Sequence, residues 1–93
     1  MFKSNFDEIW RRIEANQGEK FFTIGRLDFT YKIVGNGRYL VTSRTRYKIP
    51  KSDFEKAFSM VPIPNTTIIN KIVRGPSYIW AILHDSKISQ GEW

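Results

Sequence analysis

The residues of this chain best suited to chemistry are a group of cations near its middle. Four of them lie within nine residues, and these are Arg44, Arg46, Lys48 and Lys51. Two large apolar side chains, Tyr47 and Ile49, alternate with them. From residue 29 to residue 52 there are six cations and no acidic residue, while the flanking segments each balance to zero. The net charge of +6 therefore belongs to one central segment, residues 29–52, which we call the basic segment.

Cations on one ordered segment can neutralise several phosphates of a nucleic acid, because phosphates repeat regularly and release counterions when they are contacted. Arginine adds paired hydrogen bonds to a phosphate. The sequence therefore predicts a small nucleic-acid-binding domain, with DNA or RNA as partner. The predicted phosphate contacts are Arg44, Arg46 and Lys48, with Arg38, Lys51 and Arg74 in support. Exposed aromatic rings would stack on bases and extend binding to single strands; the candidates are Tyr39, Tyr47, Tyr78 and Trp80.

A second interpretation is a protein-interaction module, an adaptor or inhibitor that binds an acidic protein. The partner would contact the basic strand or the region of Tyr78 and Trp80, which follows a Gly-Pro turn and contains residue types enriched at interaction hot spots. A third interpretation treats the cations as solvated surface and the aromatic residues as core. One continuous surface of exposed aromatics and cations favours nucleic acid, whereas two separate patches favour a protein partner.

The sequence offers few residues in patterns that are typical of an enzyme active site. His84 is the only histidine, and its neighbour Asp85 would point about 100° away from it on a helix. The chain has no cysteine, which excludes thiolate ligands and nucleophiles. The run Gly35-Asn36-Gly37 precedes a strand, so it reads as a hairpin turn and not as a phosphate loop. We predict no catalytic residue, no metal site and no cofactor, with His84 as a favourable cation near a helix C-terminus.

The length of 93 residues fits a single globular domain, and 41% apolar residues suffice for one core. The polar segment 86–93 reads as a flexible C-terminal tail. The sequence shows neither the apolar region of a secretory signal nor an apolar run near the roughly 20 residues of a membrane span. We therefore expect a cytoplasmic protein without a membrane partner.

The elements that must position the cations follow from periodicity. A helix is predicted over 5–16, capped by Ser4 with Asp7; its apolar stripe is Phe6, Ile9, Trp10 and Ile13. Alternating residues predict three strands, at 21–24, 29–33 and 38–42, which form an antiparallel meander. If the chain stays extended to Ile49, one face is basic and the other apolar. The basic face would hold Thr42, Arg44, Arg46 and Lys48, whereas a break near Ser43 would scatter it.

Helices follow the strands. Ser52 with Glu55 has the spacing of a capping box for a second helix that ends before Pro62. The segment 66–74 fits either a helix or a strand, and we favour a short helix. Pro76 has the position of a first helical residue, which predicts a further helix through His84. The fold class is therefore α+β, with an N-terminal helix, a three-stranded antiparallel meander and two or three short helices packed on one face of the sheet.

Overall fold

A computed structural model describes residues 4–93 of the chain. Helix α1 spans Phe6–Ala15 and buries the predicted stripe on one face. Its cap differs from the prediction, because the side chain of Asn5 accepts the hydrogen bond from the Glu8 backbone N–H at 2.9 Å. Ser4 is therefore outside the cap, and its backbone N–H and hydroxyl both donate to the Glu92 carboxylate.

The strands form two small antiparallel sheets. Strands β1 (Phe21–Phe22) and β2 (Asp28–Phe29) form the first. The second contains β3 (Tyr31–Val34), β4 (Tyr39–Thr42) and β5 (Ile49–Pro50) in that order. The α+β class is confirmed, and a three-stranded antiparallel sheet is present. Its third strand is β5, however, whereas the predicted first strand of the meander pairs only with β2.

The outer edge of β3 explains why β1 pairs elsewhere. The Gly18 N–H donates to the Tyr31 carbonyl at 3.2 Å, and the Ile33 N–H donates to Oε1 of Gln17 at 2.8 Å. These contacts from the loop after α1 occupy the groups that a further strand would use, since each strand edge offers alternating N–H and C=O groups. The edge of β3 is thus closed by the loop.

Four helical segments follow the sheets, and these are α2 (Lys51–Phe58), a 3-10 helix (Thr66–Ile68), α3 (Pro76–Leu83) and α4 (Ser86–Ser89). The predicted cap of α2 by Ser52 is wrong, because β5 runs directly into the helix and Pro50 occupies the cap position. Pro76 is the first residue of α3, as predicted. The ambiguous segment 66–74 contains one helical turn, capped by Asn65, whose side chain accepts from the Thr67 N–H at 3.0 Å.

The C-terminal segment is docked, which corrects the prediction of a flexible tail. Ile88 of α4 is fully buried. The indole N–H of Trp93 donates to the Leu83 carbonyl at 2.8 Å, and its ring lies 5.4 Å from that of Phe58. Arg12 also reaches Glu92, with 2.6 Å between Nη2 and Oε2. The polar composition of the segment hid these anchors, because two apolar residues are too few for a periodic pattern.

One hydrophobic core joins the inner faces of both sheets to the helices. The sheets contribute Phe21, Phe29, Tyr31, Leu40 and Ile49, and the helices cover them with the apolar sides of α1, α2, α3 and α4. Tyr31 is buried within this core, and its hydroxyl donates to the Ile13 carbonyl at 2.6 Å. Burial raises the pKa of the Tyr31 phenol, with the carboxylates of Asp85 and Glu19 adding to the effect. The side chain therefore acts as a neutral hydrogen-bond donor that ties the sheet to α1.

Candidate functional site

The basic segment turns at Ser43 and does not continue as a strand, so the second alternative, a break near Ser43, is the one present and the shared basic face does not form. Strand β4 ends at Thr42, whose hydroxyl accepts from the Arg44 N–H at 3.1 Å and bonds to the Thr45 hydroxyl. The Thr45 N–H also donates to the Thr42 carbonyl at 3.3 Å. A threonine hydroxyl that satisfies the backbone locally in this way competes with strand pairing. The cations after Thr42 consequently take separate directions.

Arg44 points away from the other cations and forms an ion pair with Asp28 of strand β2. Its Nε donates to the Asp28 carbonyl oxygen, and Nη2 lies 3.1 Å from Oδ1 of the Asp28 side chain. The hydrogen bond from Arg44 is the main reason that the pKa of Asp28 is lowered from its ordinary value. Lys20 approaches the same carboxylate at 3.8 Å. The charge of Arg44 is thus already matched within the protein.

Lys48 lies with Tyr39 on the outer side of the three-stranded sheet. The Lys48 ammonium is 5.4 Å from the centroid of the Tyr39 ring, within the range of a cation–π contact. Tyr39 is opposite Pro50 in the β4–β5 pair. Its ring also covers Gly35, where an added Cβ would lie 2.8 Å from Cδ2 of the ring. Gly35 has φ +62° in the β3–β4 turn, so the turn and the ring position both require glycine.

The fold brings Arg74 to the basic segment from far along the chain. Its guanidinium carbon lies 5.4 Å from the centroid of the Tyr47 ring. The backbone holds this arrangement, because the Arg74 N–H donates to Oδ2 of Asp53 in α2 at 2.9 Å. Tyr39 and Tyr47 are similarly exposed, at 37% and 38%. Each exposed tyrosine of the basic segment therefore has a cation beside its ring.

The remaining predicted cations differ in their exposure and in the contacts that they make within the protein. Lys51 is half-buried, with its ammonium 5.7 Å from the Trp10 ring and 6.0 Å from the Phe6 ring, so its stem covers the core. Its backbone N–H donates to the Arg38 carbonyl at 2.8 Å. The side chains of Arg38 and Arg46 are exposed, and no acidic side chain within residues 4–93 forms an ion pair with either.

These contacts form two pairs, Lys48 with Tyr39 and Arg74 with Tyr47, which the chain links through its neighbouring residues Tyr47 and Lys48. Together with the exposed cations next to them in sequence, we call these residues the tyrosine–cation surface, and its members are Arg38, Tyr39, Arg46, Tyr47, Lys48 and Arg74. Sequence reasoning named its cations and listed both tyrosines among the candidates for stacking. It could not find that Arg74 reaches Tyr47, because that contact depends on the packing of the loop before α3 against the basic segment.

Tyr78 and Trp80, the proposed hot spot for a protein partner, mainly serve packing. The Tyr78 ring meets Phe29 edge to face at 5.1 Å. The indole N–H of Trp80 donates to the Ile63 carbonyl at 2.8 Å, and its ring stacks on His84 at 4.7 Å. Both side chains are half-buried. Their polar and apolar parts are largely engaged inside the protein.

His84 is a neutral hydrogen-bonding residue in this structure, not the cation that we predicted. Its Nε2 accepts from the Ile63 backbone N–H at 3.0 Å, which assigns the proton to Nδ1, 3.0 Å from the Trp80 carbonyl. Burial lowers the pKa of His84 from its ordinary value of 6.5. A second proton would set two donors against each other at Nε2, so the imidazolium is disfavoured here.

Acidification should therefore destabilise the protein through His84. Its pKa is lower in the folded chain than in the unfolded chain, so the unfolded state takes up the proton first and stability falls as the pH drops below about 6.5. The loss is at most about 1.4 kcal/mol per pH unit for one proton. Urea titrations between about pH 7.5 and about pH 5 should show it. His84→Gln keeps an acceptor for Ile63 and should lose the slope in this range; an equal slope in both proteins would refute the assignment.

A separate apolar groove lies beside the β1–β2 hairpin. Phe22, Ile24 and Leu27 are each more than half exposed. Beside Ile24 and Leu27 is an open groove of about 340 Å³, closed on its other side by Ser77 and Tyr78 of α3. Its lining residues are distinct from the tyrosine–cation surface. Strand alternation could have revealed Phe22 and Ile24, because both are out of phase with the buried Phe21.

Comparison with protein-family models, curated proteins and solved structures gave no match for this chain. In the part of the chain that the structure describes, the helices are too short or too polar to cross a bilayer. Over the same residues, His, Asp and Glu side chains do not gather into a group of three that could ligate a metal ion. The functional proposal below rests on the contacts of the tyrosine–cation surface.

Proposed function

We propose that this chain is a small nucleic-acid-binding domain that contacts phosphates through the tyrosine–cation surface. The observation that carries the proposal is the pairing of each exposed tyrosine with a cation, Lys48 beside Tyr39 and Arg74 beside Tyr47. A nucleic acid offers phosphates for the cations and flat base or sugar surfaces for the rings. Residues 29–52 contain six cations and no carboxylate, and such a surplus of cations attracts polyanions.

The neighbours of each cation within the protein support an order among the predicted contacts. Arg38 and Arg46 are exposed and carry unmatched charge, so they can approach phosphates at little cost. Lys48 and Arg74 are also exposed, whereas Arg44 would first have to leave Asp28 and Lys51 is half-buried over the rings of Trp10 and Phe6. We therefore assign the main phosphate contacts to Arg38, Arg46, Lys48 and Arg74, with Arg44 and Lys51 contributing less.

Affinity for DNA and RNA measured at several salt concentrations tests this proposal. Four phosphate contacts should give a plot of log K against log salt with a slope of about −3 to −4. The double variant Arg46→Glu with Lys48→Glu should flatten the slope by about two units, since each lost phosphate contact removes about one. Its affinity at about 50 mM salt should fall by at least roughly tenfold for every sequence tested.

The matched control reverses two exposed cations outside the surface, Arg11→Glu with Lys71→Glu, so that the net charge changes equally. Arg11 lies on α1 next to Glu8, and Lys71 lies in the turn after the 3-10 helix. The control should keep most of the affinity. If the Arg46 and Lys48 variant is folded and binds as tightly as the parent chain, the proposed surface is wrong. If both double variants lose affinity equally, net charge alone accounts for binding.

An acidic protein is the second candidate partner, and the exposed apolar residues Phe22, Ile24 and Leu27 favour it. Exposed apolar side chains beside a groove are typical of protein-binding surfaces, and the cations would steer an acidic partner towards them. A parent chain that binds neither DNA nor RNA at about 50 mM salt would make this the better proposal. A salt-dependent affinity for nucleic acid that the Arg46 and Lys48 variant loses would argue against it.

A further inference from the structure

The outer face of the β3–β4 hairpin carries side chains that the phosphate-contact proposal leaves without a role. Lys32 is opposite Val41, and Val34 is opposite Tyr39. Their sequence neighbours Tyr31, Leu40 and Thr42 are buried on the inner face. Because alternate residues of a strand point to opposite faces, all four side chains lie on the side away from the core. This outer face combines one exposed ring, two valines and a lysine.

A shallow hollow lies at the end of this hairpin farthest from its turn. It has a volume of about 140 Å³, and its lining includes Thr30, Lys32, Val41 and Ser43. Pockets that enclose a whole small molecule have roughly 300 to 1,000 Å³, so this hollow suits one group of a larger ligand. This lining suits a nucleotide. Val41 offers an apolar wall for a planar base, the two hydroxyl residues can bond to its polar edge, and Lys32 can contact its phosphate. The Ser43 Oγ accepts from the Thr30 N–H at 3.0 Å, which fixes its position.

The distance between Tyr39 and Val41 along β4 fits the bases of an extended single strand better than those of a duplex. Tyr39 and Val41 are two residues apart on one strand, which places them roughly 7 Å apart. Successive bases of one duplex strand rise by only about 3.4 Å and are stacked on each other. An extended single strand can instead place one base on Tyr39 and the next in the hollow. Sheet faces with exposed aromatic rings bind single strands in this manner.

The neighbouring groups favour a polyanion over a peptide on this face. Lys32 and Lys48 provide charge, and residues 29–52 contain no acidic residue. A peptide that added a strand beside β3 would need a free edge there, but Gln17 and Gly18 already bond to that edge. β4 is the central strand, with partners on both sides. An occupant beside Lys32 and Val41 must therefore lie on the face of β3 and β4 and not at their edges.

We infer that this outer face selects single-stranded nucleic acid, with one base stacked on Tyr39 and the adjacent base in the hollow beside Lys32 and Val41. The inference rests on the proposed function, which it narrows from nucleic acid to an extended single strand. Lys48 and Lys32 contact the phosphates that flank the two bases. Tyr39 thereby has two roles, as the partner of Lys48 in the free protein and as the platform for a base in the complex.

Fluorescence anisotropy with two labelled probes tests the inference: an oligothymidine of about twenty nucleotides, and a GC-rich DNA duplex of about ten base pairs, which has nearly the same number of phosphates. The parent chain should bind the single strand more tightly. Tyr39→Leu should lower single-strand affinity by roughly 5- to 150-fold, the range expected for one lost base stack, and change duplex affinity by less than about twofold. Tyr39→Phe keeps the ring and should bind both probes like the parent.

A second variant covers the case in which Tyr39→Leu disturbs the turn at Gly35, which circular dichroism would reveal. Lys32→Glu should reduce single-strand affinity at least about fivefold more than Lys71→Glu, which has the same charge change outside this face. The inference is overturned if Tyr39→Leu lowers affinity for both probes equally or for neither, or if Lys32→Glu matches Lys71→Glu. Duplex binding with the expected salt slope but no single-strand preference would overturn this inference alone; binding of neither probe would overturn the proposed function too.

Discussion

Replacing Gly75 with alanine is expected to lower the free energy of unfolding by about 2 to 5 kcal/mol. Gly75 has φ +63° and ψ 49°, the left-handed conformation that costs other residues about 1 to 2 kcal/mol. An added Cβ would also lie 2.7 Å from Cδ1 and 3.3 Å from Cγ1 of Ile49, whose fully buried side chain would have to shift within the core. Such overpacking costs about 1 to 3 kcal/mol.

Gly91 offers a matched control for this prediction. Its φ is +80°, and an added Cβ would meet none of the described atoms within 4 Å. Gly91→Ala should therefore show only the conformational cost of about 1 to 2 kcal/mol. Urea unfolding of both variants separates the two effects, provided that the m-values stay equal. Equal losses for Gly75→Ala and Gly91→Ala would show that the close approach to Ile49 contributes nothing.

The Gly75 variant also bears on the candidate site. The same added Cβ would lie 3.5 Å from the Tyr47 hydroxyl, and Arg74 is the preceding residue. The segment that places Arg74 beside Tyr47 is therefore packed tightly against the basic segment. If Gly75→Ala folds, the displacement of this segment should weaken nucleic-acid binding in addition to stability.

Replacing Trp93 with alanine is expected to cost about 2 to 3 kcal/mol of unfolding free energy, somewhat less than the 3 to 5 kcal/mol of a fully buried tryptophan. Trp93 is half-buried. The substitution removes its edge-to-face contact with Phe58 and its hydrogen bond to the Leu83 carbonyl. Thermal or urea unfolding of the variant measures the loss directly.

Trp93→Phe is the control, since it keeps a ring near Phe58 and removes only the indole N–H. It should cost about 1 kcal/mol, the net value of one hydrogen bond. A Trp93→Ala protein with unchanged stability would instead support the flexible tail that the polar sequence of 86–93 predicts. Both substitutions leave the tyrosine–cation surface untouched, so nucleic-acid affinity should not change in either protein.

The parts of the fold that the sequence predicted are those with long or chemically distinct signals. The stripe of α1 repeats over about two turns, and Pro76 marks a helix start that few other residues could mark as clearly. Strand β5 has only two residues, so alternation could not reveal it. The turn after β4 depends on the Thr42 hydroxyl, which can serve a strand or a turn equally well until tertiary contacts decide.

The positive charge of the candidate site could be predicted from the sequence, but the side chains that its cations contact could not. The excess of cations over residues 29–52 is a property of the sequence alone. Whether a cation is available depends on its neighbours in space: Arg44 meets Asp28, and Arg74 meets Tyr47. Both contacts join segments that are distant in sequence, and a charged side chain gives no local signal of its eventual partner. The division of the predicted cations into engaged and available ones therefore required the fold.

The contacts of Ser4 and Arg12 with Glu92 bring the two ends of the described chain together. Residues 4 and 92 therefore lie side by side, as the ends of domains that can be inserted into others commonly do. A fused partner at either end would occupy one neighbourhood of the molecule, and a short peptide bridge between the ends would need to cross little distance.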